Sequence, residues 1–157
     1  MTEFVVRGIA LEKESQMPLA LLQEKGGDTI LPLWLGPSEA SSIIVEMEGV
    51  QPPRLLTHDL LAFLFNRHGY RMKKLEIYGD IDDKYYSRLH YAKGFRRYSV
   101  EVRPSDGIAL ALRLGAPILG DPLLLQNSPG EGFQVVDENL SSEILYLEPE
   151  YKEKPWL

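Results

Sequence analysis

A chain of 157 residues that is 44% hydrophobic can bury an ordinary core as one domain, hiding roughly 70% of the surface its unfolded form exposes. It has no cysteine, which excludes disulfides and thiolate chemistry and fits a reducing compartment. The formal charge of −6 argues against a uniformly basic protein, but it is unevenly placed: residues 1–120 carry 15 Lys/Arg and 15 Asp/Glu, and residues 121–157 carry 2 and 8.

The N-terminal MTEFVVRG lacks a basic run followed by a long apolar one, and no stretch approaches the ~20 apolar residues of a membrane span, so a cytoplasmic protein with no membrane partner is expected. Residues 2–12 are β-branched and apolar without helical periodicity, and predict a strand. Met17–Glu24 predicts a second, and Gly26-Gly27-Asp28 is a turn before a third at Thr29–Leu35, making an antiparallel meander. Gly36-Pro37 ends it, with proline suited to the first helical position, and Ser38–Glu48 predicts a helix with Ala40, Ile43, Ile44 and Met47 on its apolar face. Glu39 falls in its first turn, a carboxylate held on a rigid element beside a loop.

Val50–Leu56 contains Pro52-Pro53-Arg54 and predicts a stiff crossing. A second helix follows with Thr57 as N-cap, His58 and Asp59 in the first turn, and Leu60, Leu61, Phe63, Leu64 and Phe65 on the side to be buried, before Gly69 ends it. With leucine at position 60 a reciprocal capping box to Thr57 is not expected. Strands are predicted at Tyr70–Tyr78, Lys84–Tyr91 and Phe95–Val102, with turns at residues 79–83 and Lys93-Gly94. Asp80, Asp82 and Asp83 lack the glycine and glutamate of a calcium loop and read as a solvated turn; the tyrosines and Phe95 read as cross-strand packing. The basic residues Arg67, Arg71, Lys73, Lys74, Arg88, Lys93, Arg96 and Arg97 concentrate in this region.

Arg103-Pro104 stops the last strand and a third helix begins, with Ser105 as its predicted cap and Asp106 in its first turn; Gly115 closes it and Pro117 prevents its resumption. Gly107, Ala109 and Ala111 give it a thin face suited to close packing. Two helix mouths thus carry chemistry: Arg54, His58 and Asp59 at one, Arg103, Ser105 and Asp106 at the other. Free helical N–H groups, arginines and carboxylates can hold an anion or a hydrated metal. Phosphate-binding Gly-rich loops, HExxH and nucleophile elbows are absent, which disfavours ATP-dependent transfer, NAD chemistry and zinc proteolysis. Beyond residue 125 the composition shifts to a flexible linker and an acidic segment, so residues 1–125 are taken as the domain and 126–157 as a tail.

The segment RPSDGIALALRLGAPI (Arg103–Ile118) resembles the RPSDAIALAL stretch of the bifunctional nuclease family. LPLWLGPSEA (Leu31–Ala40) resembles its LPIWIGxxEA stretch, and Glu48–Leu61, EGVQPPRLLTHDLL, its EGxxxPRPxTHDLL stretch. Order and spacing are kept over roughly residues 1–125, and Gly107 stands where alanine is usual. The resemblance implies hydrolysis of phosphodiester bonds in DNA and RNA. On that footing Glu39, Asp59 and Asp106 are candidate ligands for Mg²⁺ or Mn²⁺. Arg54, Arg103 and Ser105 would hold substrate, and His58, with Asp59 and Asp106, would move protons. A non-enzymatic module that binds an anion, a nucleotide or a protein partner could use the same residues. The fold expected is α+β, one domain with a mainly antiparallel sheet of six or seven strands and three helices. The apolar load of Ile43, Ile44, Leu60, Phe63, Leu64 and Phe65 predicts a homo-oligomer, most simply a two-fold dimer.

Overall fold

The computed structural model describes residues 1–11, 15–81 and 84–126. Strands β1 (Thr2–Leu11), β2 (Pro18–Glu24) and β3 (Ile30–Trp34) precede helices α1 (Pro37–Met47) and α2 (Thr57–Arg67). Strands β4 (Arg71–Ile81), β5 (Lys84–Lys93) and β6 (Arg96–Val102) lead into α3 (Pro104–Leu114), β7 (Ile118–Gly120) and a short α4 (Leu123–Gln126). The expected α+β class and antiparallel meanders are what form. Interior faces read as apolar alternation, and tight turns fall at glycines with left-handed backbone, such as Gly94 (φ 56°) between β5 and β6. The tail predicted beyond residue 125 lies, apart from Gln126, outside the described residues, as do Asp82 and Asp83.

The sheet order is β3-β2-β1-β7-β4-β5-β6. Two three-stranded meanders are stitched together by β7, whose three residues pair antiparallel with β1 (Phe4 opposite Ile118) and parallel with β4 (Leu75 opposite Ile118). This central strand was not anticipated, because three residues after a helix-ending Gly-Ala-Pro carry no periodicity. Its placement dictates the path of α3. Leaving β6 at one edge, the chain must return to the middle of the sheet, and α3 is the crossing, packed between α1 and α2 and against β4 and β5.

The thin face of α3 serves this crossing. Ser105 and all five residues Gly107–Ala111 are buried, and a Cβ at Gly107 would run into the side chain of Leu75, itself fully buried on β4. The core gathers there, with Ile9, Leu22, Leu31, Ile43, Ile77 and Ile108 also sealed from solvent, each contributing about 1.5–3 kcal/mol of burial.

Two expectations are corrected. Ile43 and Ile44 are core residues (0% and 2% exposed), not part of an association surface. Of α2, by contrast, only Ala62 is buried; Leu60, Leu61, Phe63 and Leu64 are 41–51% exposed and Phe65 is half-buried. The predicted caps shift as well. Leu56, not Thr57, is the N-cap of α2, and Arg103, not Ser105, is the N-cap of α3, since Pro104 takes the first helical position and moves the boundary back. One half of a capping arrangement does form, because the Asp59 carboxylate accepts the Leu56 N–H at 3.0 Å.

Candidate active site

The boundary shifts, one position in α2 and two in α3, decide which side chains meet. Starting α3 at Pro104 makes Asp106 its third residue, and starting α2 at Thr57 makes His58 its second, so both side chains stand at helix mouths. There they touch: His58 Nε2 lies 3.0 Å from Asp106 Oδ1. On its other side the imidazole meets α1, with Nδ1 2.7 Å from Ser42 Oγ. One ring therefore joins three helices.

The bonding pattern places the protons. A carboxylate oxygen accepts only, so Nε2 carries a hydrogen and donates to Asp106. Nδ1 can then accept the Ser42 hydroxyl proton in the neutral ring, or donate to the Ser42 oxygen in the charged one. Burial runs against a hydrolase triad, because Ser42 is the hidden end (7% exposed) and Asp106 the accessible one (33%). Ser42 thus orients the ring, and Asp106 faces solvent.

Asp106 is shared. Its Oδ2 accepts from Arg103 Nε at 2.8 Å, and the same guanidinium reaches Glu39 Oε1 through Nη2 at 2.7 Å. Arg103 is 68% exposed and Glu39 only 12%. Glu39 is held below the usual carboxylate range chiefly by a bond from its own backbone N–H at the start of α1, helped by the Ser38 hydroxyl and by Arg103, against burial and the Asp106 charge. The Arg103 guanidinium is pushed further up, first by its bond to Asp106.

Asp59 stands apart from this array. Its Oδ1 accepts from Arg113 Nε at 2.7 Å, while Arg113 also donates to the carbonyls of Ala109 (2.9 Å) and Ser42 (3.1 Å). The Arg113 side chain is 3% exposed with each of its three nitrogens bonded, a strut between α1, α2 and α3. Glu39, Asp59 and Asp106 consequently do not form a three-carboxylate cation centre: Asp59 is committed to Arg113, and Arg103 occupies the space between the other two. Among the described residues no three His, Cys, Asp or Glu side chains are placed to share a metal ion. Arg54 is exposed and makes no hydrogen bond or ion pair among the described residues, and Ser105 is buried without capping its helix.

Ser42 and Arg113 were missed by the sequence reading. Ser42 was legible in principle, as a polar residue in the run Ala40–Val45 whose neighbours are core and whose hydroxyl must find a partner. Arg113 resembles any basic residue in a last helical turn.

With this geometry in view, the sequence matches the bifunctional nuclease domain model over residues 20–130. The chain belongs to that family. An uncharacterized protein of Mycobacterium tuberculosis is 38% identical over 139 residues, covering 88% of this chain and 81% of the relative. Bifunctional nuclease 1 of Oryza sativa subsp. indica is 28% identical over 103 residues, 64% of this chain, and bifunctional nuclease 2 of Arabidopsis thaliana 23% over 128 residues, 80% of this chain. The chain spans 31% and 38% of those two plant proteins. Ser42, His58, Arg103, Asp106 and Arg113 all fall inside the stretch that matches the family model.

Two outcomes are expected. Arg113→Met, which keeps the aliphatic stem but leaves Asp59 with an uncompensated charge, should destabilise the fold by about 3–5 kcal/mol in denaturant titration, and adding Asp59→Asn should recover part of that loss. Because its folded carboxyl titrates below the ordinary 4.5, Glu39 contributes stability that is fully present above that pH and lost as pH falls through the depressed value. Glu39→Gln should therefore flatten the acid limb of a stability–pH curve and leave its slope near neutrality unchanged.

Proposed function

We propose that this chain is a nuclease that hydrolyses phosphodiester bonds of DNA and RNA at the paired mouths of α2 and α3. The observation that carries the reading is the 3.0 Å contact of His58 Nε2 with Asp106 Oδ1, beside an exposed arginine on the same carboxylate. Family membership and the names of the plant relatives support the reaction class.

The proton movements of hydrolysis are assigned to the chain's own residues. A substrate phosphate competes with the two carboxylates for Arg103, and the exposed Arg54, two residues before the N-cap of α2, offers it a second cation. Released from Arg103, Asp106 accepts a proton from the attacking water as the new O–P bond forms. Charged His58 gives its Nε2 proton to the leaving oxygen as the old P–O bond breaks, while its Nδ1–H stays on Ser42. The protonated Asp106 then returns its proton across the short gap to Nε2, and both groups regain their starting charge. Should a divalent ion take part, Glu39 and Asp106 are the oxygen donors that Arg103 would free.

Purified protein is expected to cleave single-stranded RNA and DNA. His58→Ala and Asp106→Asn should each lower turnover about 10²–10⁴-fold with the melting transition retained, and Ser42→Ala should cost less, since it loosens the ring without removing it. Substrate binding should weaken as salt rises, because phosphate contacts release counterions. Parallel assays in Mg²⁺, in Mn²⁺ and in chelator separate a metal-assisted reaction from a metal-independent one. Equal trace activity in wild type and both variants would mark it as a contaminant and leave an anion-binding module as the better account.

A further inference from the structure

Helix α2 is an amphipathic element whose apolar side has no cover. Beside it runs an open groove of about 400 Å³ lined by Leu61, Leu64, Tyr91, Val100 and Leu110 among others, between the helix and the outer strands. Strand β6 forms the far wall, and it is the edge of the sheet. Its outer backbone groups have no strand partner among the described residues. All its residues but Val102 are exposed, with Tyr98 at 38% and Val100 at 46%. Edge strands are normally protected by proline, like charges, a bulge or brevity, and the charges of β6 are of both signs, Arg96 and Arg97 against Glu101. Strand β6 has seven residues, no proline, and a regular register against β5 from Ser87–Val102 to Lys93–Arg96.

We propose that β6 pairs antiparallel with β6 of a second copy about a two-fold axis through Ser99, giving one continuous sheet with the helices of both copies on the same face. The strand's own sequence, RRYSVEV, is complementary to a second copy of itself. An axis perpendicular to the sheet sets each residue opposite its mirror position, so the choice of central residue fixes every pair. Centred on Ser99, all seven residues are used. Arg97 faces Glu101 of the partner subunit, and the same ion pair recurs on the other side of the axis. Tyr98 faces Val100 of the partner subunit, an aromatic–β-branched pair of the favoured kind.

Other centres lose this match. Moving the axis to Val100 sets Arg97 against Arg103 of the partner subunit, and moving it to Tyr98 sets Glu101 against Phe95 of the partner subunit. The two faces also sort correctly. Within the monomer Val100 pairs with Leu89 and Tyr98 stacks on Tyr91, rings 5.1 Å apart, which puts them on the helix side. Arg97 and Glu101 lie on the outer side, where Tyr78 Oη donates to Glu101 at 3.1 Å and leaves its second oxygen available. The Tyr98 and Val100 stripe would continue across the interface, beside Leu61 and Leu64 of each α2, which line the same groove.

The register has a consequence for the active site. The α3 mouth of each copy begins at Arg103, one residue beyond the paired stretch, so it would lie next to the hairpin tip of the partner subunit, where Phe95 is fully exposed.

The full chain should scatter light with twice the 17.8 kDa chain mass at micromolar concentration. Arg97→Glu should weaken self-association about tenfold or more by setting like charges opposite each other twice, and Arg97→Glu combined with Glu101→Arg should restore it. Since the chain lacks cysteine, Ser99→Cys places one thiol on the axis and should form an interchain disulfide on mild oxidation. Glu101→Cys should not, its two copies lying about 13 Å apart along the strands. A mass of 17.8 kDa, association indifferent to both charge changes, or cross-linking by Glu101→Cys as fast as by Ser99→Cys would each overturn the proposal.

Discussion

A single imidazole ring ties the three long helices into one unit. His58 begins α2, bonds back to Ser42 in the middle of α1 and forward to Asp106 at the start of α3, within 2.7 and 3.0 Å. A first-turn histidine on a free helix end would be a surface residue with rotational freedom. Here both ring nitrogens are engaged, so the ring plane, the tautomer and the direction of its Nε2–H follow from its neighbours rather than from solvent. Each such bond is worth only about 0.5–1.5 kcal/mol to the fold. Their importance is positional, because they aim one donor at the carboxylate through which Arg103 and Glu39 are also connected.

The scaffold keeps that aim by close approach and by a second polar tie. Gly107 lets α3 rest on Leu75 of β4, so the helix that carries Arg103 and Asp106 has little room to shift toward the sheet. Arg113, one face of α3 further along, spans to Asp59 and to the carbonyl of Ser42. Both ties end on the same elements, α1 and α2, and Ser42 takes part in each, through its hydroxyl in one and its carbonyl in the other. The arrangement separates roles that looked equivalent in the sequence. Asp59 and Asp106 are each first-turn carboxylates, yet the first is bound to a buried guanidinium and the second stands at the surface between a histidine and an exposed arginine.

Much of the fold could be read from residue order. Proline and glycine punctuation located the helices, alternation located the long strands, and the small residues of α3 announced a close crossing. What could not be read was set by three-dimensional closure. Strand β7 owes its existence to a three-residue gap between β1 and β4, and no local pattern signals a gap. The convergence of the two helix mouths was undecidable without the sheet order, since His58 and Asp106 are 48 positions apart. The fate of Asp59 depended on Arg113, 54 positions away, and the burial of Ile43 and Ile44 against the exposure of Leu60 and Phe63 depended on which helix the sheet could cover. Apolar content alone treats those four residues alike.

The site depends on His58 being held with Nε2–H toward Asp106 and with Nδ1 toward Ser42. Nitrogen-15 NMR of histidine-labelled protein reads this directly. In the neutral ring the proton should sit on Nε2, and the preference should disappear in Asp106→Asn while the other two histidines keep their spectra. A neutral His58 in the wild-type protein with its proton on Nδ1, or one exchanging freely between the two tautomers, would contradict it.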